Sequence, residues 1–231
     1  RVGPDRAVFA DRGSDILATT GVHIGGTDFD QLLNLRHVMP LLGLGHVGPH
    51  GRSMPSSLFH ALSTWHLVPQ CYTRKSLHDA AQLRSDYTEP ALHKRLMHVL
   101  HERQGHRILA HTEAAKIECS NTRTDAQIAL DCIERGLGVP LTPAGLDATL
   151  QAQVASIVAC AQACVARSGV PANRLQALYL TGGSSALAPL GVALGEAFPG
   201  AQLVTGDRLG SVAAGLAYGG AAVGRAMAVE S

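Results

Sequence analysis

Three stretches carry residues whose types and spacing could do chemistry. Glu113, Lys116 and Ser120 stand three and four positions apart. On a helix that spacing sets a carboxylate, an ammonium and a hydroxyl along one stripe, which suits a polyhydroxyl ligand such as ribose. The ordinary alternative is an exposed ion pair beside a solvated serine. Gly182, Gly183 and Ser184 follow the short apolar run from Leu175 to Leu180. They read as the turn from a strand buried on both faces into a helix reaching about Phe198, with Ser184 and Ser185 as cap residues. Bare glycine amides at a helix N-terminus accept phosphate oxygens, although α/β proteins also use such turns only to reverse the chain. Gly25 and Gly26 form a second glycine turn. It opens a helix through about Met39, capped by Thr27 or Asp28 and ended by Pro40.

Other constellations fail on spacing. His101, Glu102 and His106 look like a zinc-protease helix, but the histidines are five apart and Gly105 interrupts. A separation of four is needed to place both on one face, so no metal is expected there. Gly182-Gly183-Ser184-Ser185-Ala186 lacks the fifth-position glycine of a nucleophile elbow, and no histidine follows it. No glycine is followed by lysine, so there is no P-loop, and no dinucleotide fingerprint is read. Cys160 and Cys164 share a helix face and are expected as buried thiols rather than metal ligands. No catalytic residue is assigned.

The chain has 231 residues, 46% of them hydrophobic, enough for a sizeable core in one or two domains. A net charge of +1 gives no reason to expect nucleic acid or an acidic membrane as a partner. No twenty-residue apolar span free of charge is read, so no transmembrane helix is expected. Five scattered cysteines without a Cys-x-x-Cys fit reduced thiols and a cytoplasmic location. The chain opens on Arg1 rather than Met and is expected to be a fragment or a processed product.

These sites need positioning elements, and the pattern supplies them. Ala7 to Asp11 and Asp15 to Gly21 read as a hairpin. Residues 43 to 55 read as an exposed loop carrying His46 and His50. Helices are expected over 56–68, 76–84, 89–103 and 106–120, then strands over 126–132 and 137–141. A helix from Thr142-Pro143 to about Ser168 has Leu146, Leu150, Val154, Ile157, Val158, Ala161 and Val165 on one face. Gln202 to Thr205 reads as a last strand, and 206–227 as a closing helix. The order predicts an α/β fold with a mixed sheet. Residues 1–39 and 136–231 are expected to form the α/β core, with 40–135 a mainly helical insertion.

Three motifs occur in a telling order: Gly25-Gly26-Thr27-Asp28-Phe29-Asp30, then Glu113-Ala114-Ala115-Lys116-Ile117-Glu118-Cys119-Ser120, then Leu180-Thr181-Gly182-Gly183-Ser184-Ser185-Ala186-Leu187-Ala188-Pro189. With Gly210-Ser211-Val212-Ala213-Ala214-Gly215-Leu216-Ala217, the set resembles the second lobe of a DnaK-type heat-shock chaperone ATPase, of the actin-like ATPase superfamily. The segment Met39-Pro40-Leu41-Leu42-Gly43 is shared with the YegD-like branch. The resemblance covers nearly the whole chain. It implies a ribonuclease H-like lobe with a five-stranded mixed sheet and an inserted helical subdomain that pivots with nucleotide. It also implies ATP or ADP with Mg²⁺ as ligand. Gly25 and Gly26 would approach the ribose and phosphates, Glu113 and Lys116 the ribose hydroxyls, and Ser120 the adenine edge. Gly182, Gly183 and Ser184 would floor the phosphate side.

The sequence departs from that family in three places. Ile117 stands where an arginine usually stacks on adenine, Ala186 replaces a further arginine, and Thr27 replaces a glutamate. Ile117 can still cover a base by apolar contact, without the cation's contribution. The family's two phosphate loops, and the groups that handle Mg²⁺, are expected in an N-terminal lobe ahead of Arg1. ATP hydrolysis by this chain alone is therefore not expected. A client protein or co-chaperone is an implied partner, and the inner face of a lone lobe is expected to associate as a dimer. Two alternatives stand beside this reading: a lobe of a sugar or small-molecule kinase of the same superfamily, and a non-catalytic interaction module without nucleotide.

Overall fold

The computed structural model describes residues 13–49 and 51–206. They belong to two compact units: Gly25–Ala152, and a second drawn from Arg1–Ile24 with Gln153–Ser231. The expected strand at Ala7 to Asp11, His50, the closing helix and the Gly210–Ala217 motif lie outside the described residues.

The first unit is mainly helical. Helix α1 (Gly26–Leu33) passes into a π turn (Asn34–Val38) and then a 3-10 turn (Met39–Leu42). Pro40 does not end this run as expected. It occupies an early position of the 3-10 turn, where its missing N–H leaves no hydrogen bond unmade. The run stops at Gly43, which has φ of +113°. A Cβ at Gly43 would strike the ring of Tyr87. Tyr87 donates its hydroxyl hydrogen to the Leu42 carbonyl at 2.8 Å, and burial pushes its phenol up to about 12.

Helices α2 (Ser57–Leu62), α3 (Arg74–Gln82), α4 (Pro90–His101) and α5 (Gly105–Thr122) follow. Helices α3, α4 and α5 fall within a residue or two of their expected spans, because apolar residues recur at helical spacing and Pro90 and Gly105 punctuate it, whereas α2 stops at Leu62, six residues short of its expected end. Helix α5 buries Ile108, Leu109, Thr112, Ala115 and Cys119. The core behind it holds Phe29, Leu33, Phe59, Leu62, Leu96, Leu100 and Ile128, each at most 1% exposed. Such side chains contribute on the order of 1.5–3 kcal/mol each by leaving water.

Strands β1 (Ala126–Ala129) and β2 (Gly138–Leu141) pair antiparallel, Ala126 opposite Leu141 and Ala129 opposite Gly138, and lie against α5. In the second unit, β3 (Ala177–Leu180) and β4 (Gln202–Thr205) pair in parallel across α7 (Ala188–Ala197). Helix α6 (Pro143–Arg167) precedes them and carries the boundary between the units.

This corrects the expected fold class. The described residues contain two separate two-stranded sheets and a helix-rich remainder, not a five-stranded mixed sheet. The reasons are local. β1 and β2 are joined by a short turn, so they satisfy each other as a hairpin, and Pro140 in β2 has no N–H to extend a ladder. Asp15 to Gly21 forms no strand. Its polar groups bond to α6 instead: Thr20 Oγ1 donates to the Cys160 carbonyl at 3.2 Å, and the Cys164 thiol to the Ala18 carbonyl at 3.6 Å. Both cysteines are half-buried rather than buried. Nor is β3 covered on both faces, since Tyr179 is 65% exposed.

Helix α6 bears on the reading of membrane spans. By length and composition it is long and apolar enough to cross a membrane, and little of it is buried. Residues 148–166 carry no charged side chain, but Gln151, Gln153 and Gln162 break up the run and hide it from a reading that looks for continuous apolar sequence.

One consequence of the first unit is testable. Gly43→Ala forces both a strained backbone and a clash with Tyr87, so a loss of about 2–4 kcal/mol is expected in urea unfolding. Tyr87→Phe removes only the bond to Leu42 and is expected to cost about 1 kcal/mol. Equal effects from the two variants would refute this account of the turn.

Candidate functional site

The first unit contains a cavity of about 240 Å³ lined by Gly26, Thr27, Asp30, Trp65, Leu109 and Glu113. Helix α1 supplies three of these residues from its first two turns, and α5 supplies Leu109 and Glu113 one turn apart. Trp65 comes from the connection after α2. Gly26 and Glu113, far apart in sequence and both read as binding residues, thus meet at one cavity.

The two helices are joined by an ion pair. Lys116 Nζ lies 2.7 Å from Asp30 Oδ1, with the two side chains 11% and 12% exposed. No other donor among the described residues reaches that oxygen. Burial pushes the Asp30 carboxyl above its ordinary value; Lys116 pulls it back, and the charge of Glu113 adds to the rise. Lys116 is therefore engaged with Asp30. Glu113 makes no hydrogen bond or ion pair with the described residues, so its carboxylate is open to a ligand.

The N-terminus of α1 is occupied by its own sequence. Asp28 Oδ2 accepts a 2.6 Å bond from the Gly25 N–H, and the Asp28 N–H bonds back to the Gly25 carbonyl at 3.2 Å. A carboxylate at this end satisfies the helix dipole and repels a second anion. The Gly26 N–H, in the first turn, has no intrahelical acceptor. It suits a neutral hydroxyl better than a phosphate.

Trp65 is 53% exposed, and its ring is held. The His106 ring tilts against it with centroids 4.6 Å apart, and His106 Nε2 donates to the Trp65 carbonyl at 3.0 Å. His106, Leu109 and Glu113 follow one stripe of α5, so the same helix that presents the carboxylate also braces the indole.

The remaining expected site residues fall elsewhere. Ser120 is on α5 but buried, 3% exposed, and Ile117 is 49% exposed; both lie outside the cavity lining. Gly182, Gly183 and Ser184 belong to the second unit. There Gly182 has φ of +84°, and a 3-10 turn (Gly183–Ala186) follows. The serines do not cap α7 as expected. Ser185 turns back, its hydroxyl donating to the Gly182 carbonyl at 2.6 Å, and α7 begins after Leu187 with Pro189 in its first turn. A side chain at Gly182 or Gly183 would meet no atom within 4 Å, so the turn is open.

Asp30, Trp65 and Leu109 were not singled out from sequence. Asp30 stands one helical turn after Gly26, and Leu109 one turn before Glu113, which was the available signal. Trp65 had none, being in a turn. The spacing Gly43-Leu44-Gly45-His46-Val47-Gly48 matches a dinucleotide pattern, but a 3-10 turn precedes it and no helix opens before Ser57. It is not a nucleotide loop in the sense that pattern requires. Among the described residues no group of three or more His, Cys, Asp or Glu is placed to hold a metal ion. No protein-family model matches the chain.

The pair makes a pH-dependent prediction. Lys116→Met leaves Asp30 buried without a cation, and at neutral pH a loss of about 3 kcal/mol is expected. A carboxyl whose folded pKa is raised is best tolerated protonated, so its contribution is present at low pH and lost as pH rises through the raised value. The deficit of the variant should therefore shrink as pH falls. Urea unfolding across a pH series would measure it; a deficit independent of pH would rule out an unpaired Asp30 as its source.

Proposed function

We propose that this chain is an adenine-nucleotide-binding lobe of a DnaK-type, chaperone-like ATPase, and that the cavity between α1 and α5 takes the ribose of the nucleotide. The observation that carries the reading is that Glu113, which has no protein partner among the described residues, lines one cavity with Gly26 and the aromatic Trp65. A carboxylate is a strong acceptor for the two hydroxyls of a ribose diol. The cavity is smaller than the ~300–1,000 Å³ typical of drug-sized sites, which suits one ring rather than a whole nucleotide. Lys116 acts here through Asp30, orienting the floor rather than touching the sugar, a change from the role the resemblance assigns it.

The Gly182-Gly183-Ser184 turn of the second unit is taken by itself: the resemblance assigns it phosphate with Mg²⁺. The openness of that turn and its glycine amides fit such a ligand. Neither an Asp-x-Gly-Thr-Thr nor an Asp-x-Gly-Gly-Gly-Thr loop occurs in the sequence, so the chain by itself binds nucleotide without hydrolysing ATP.

A second reading has its own support. An open carboxylate and an indole lining one cavity also suit a free sugar, as in a sugar or small-molecule kinase lobe. Calorimetric titration separates the two. Mg-ADP is expected to bind the chain, and Glu113→Gln to weaken it roughly ten- to a hundredfold. Glucose or ribose binding without ADP binding would favour the kinase reading, and ADP affinity unchanged by Glu113→Gln would remove the ribose from this cavity.

A further inference from the structure

Resting on the nucleotide reading, we infer that this cavity selects for the sugar and not for the base: it is a ribonucleoside site in which Trp65 stacks on any nucleobase.

The lining divides by depth and by chemistry. Asp30, 8% exposed, lies on the floor, and Trp65, 53% exposed, stands at the mouth. Besides the indole N–H of Trp65, the polar side chains in the lining are Thr27, Asp30 and Glu113. Asp30 is committed to Lys116. Glu113 and Gly26 are left to hold a diol, and the neutral side-chain donors in the lining are the Thr27 hydroxyl and the Trp65 indole N–H.

No amide side chain lines the cavity, so nothing there reads the alternating donors and acceptors of a base edge as Asn or Gln would. Ser120, which the resemblance would place at the adenine edge, is buried outside the lining. What the mouth offers a base is a π face. Trp65 is preset for this, since the His106 ring and the 3.0 Å bond to its own carbonyl hold it in place. A held indole loses little conformational freedom on stacking. Stacking on an aromatic side chain tolerates all bases because each has a π face. A site that hydrogen-bonds a hydroxyl, by contrast, discriminates sharply against the ligand lacking it. The two rules together give strong preference for ribose over 2′-deoxyribose and weak preference among bases.

Trp65 is the chain's single tryptophan, so its emission reports the mouth of this cavity alone. The Mg complexes of ADP, GDP, CDP and 2′-deoxy-ADP are titrated against the protein by calorimetry and by Trp65 fluorescence. The three ribonucleotides are expected to bind within about threefold of one another and to shift or quench the emission. The deoxy analogue is expected to bind at least about tenfold more weakly. Trp65→Ala should weaken all three ribonucleotides together, roughly five- to a hundredfold, and Trp65→Phe should restore most of the loss. ADP preferred over GDP by thirtyfold or more overturns the inference while leaving the nucleotide reading standing. So does binding seen by calorimetry with Trp65 emission unchanged, or a deoxy analogue bound as tightly as ADP. Absence of heat with every nucleotide overturns both.

Discussion

Burying Asp30 against Lys116 removes two charges from water, and each would cost several kcal/mol if left alone. Only a close pairing makes that burial tolerable, so the 2.7 Å contact fixes the distance between α1 and α5. Everything about the cavity depends on that distance. Gly26 and Thr27 stand one turn before Asp30, and Glu113 one turn before Lys116. Locking the second member of each pair places the first members across from each other. The raised pKa of Asp30 shows the balance: burial outweighs the help of Lys116, and Glu113 adds to the cost. An acid so placed is maintained by the packing around it, with Phe29 and Leu33 at 1% and 0% exposure on the same helix. The pair spends packing energy on geometry more than it adds to stability.

That constraint also decides which groups are left for a ligand. Lys116 would be the natural partner for phosphate or for ribose oxygens, yet Asp30 already holds it. Asp28 caps Gly25, so the dipole of α1 is met by the protein's own carboxylate. Both features turn this end of the unit away from anions and towards neutral hydroxyls. The same residues on a helix stripe therefore lead to a different division of labour once their neighbours are known. A carboxylate, an ammonium and a hydroxyl become one open acceptor, one orienting cation and one buried serine.

What could be read without the structure divides along physical lines. Helices α3, α4 and α5 were legible because their apolar residues repeat at 3.6 and because Pro90 and Gly105 mark their limits. The meeting of Gly26 with Glu113 was legible only through the resemblance, since nothing local encodes a contact across some ninety positions. Asp30 stayed hidden because a cross-helix pair leaves no periodic trace; in the sequence it is one acidic residue after Phe29. The sheet was misread because short apolar runs do not state their partners. Four-residue strands pair with whatever lies nearest, and for β1 that is β2, eight residues on. Residues 15–21 read as a short strand but meet α6, where the Cys160 carbonyl accepts from Thr20 and the Cys164 thiol donates to the Ala18 carbonyl.

The aromatic wall bears on the departure at position 117. In the family the chain resembles, a guanidinium stacks on the base from that position. Ile117 lies on the exposed flank of α5 next to Glu113, outside the cavity, and offers no cation. Trp65 faces the same cavity from the other side and is braced by His106, which lies two turns before Glu113 on α5. An indole supplies more polarisable area than a guanidinium and no hydrogen-bond fork, so in the proposed reading a stacking group on the α2 connection in place of α5 changes what is recognised. Arginine couples stacking to a fork of donors that can meet a particular base edge, whereas an indole presents its face and a single N–H. In the proposed reading Trp65 is the residue that holds the base, and the loss of the arginine is a change of selectivity rather than a loss of the site.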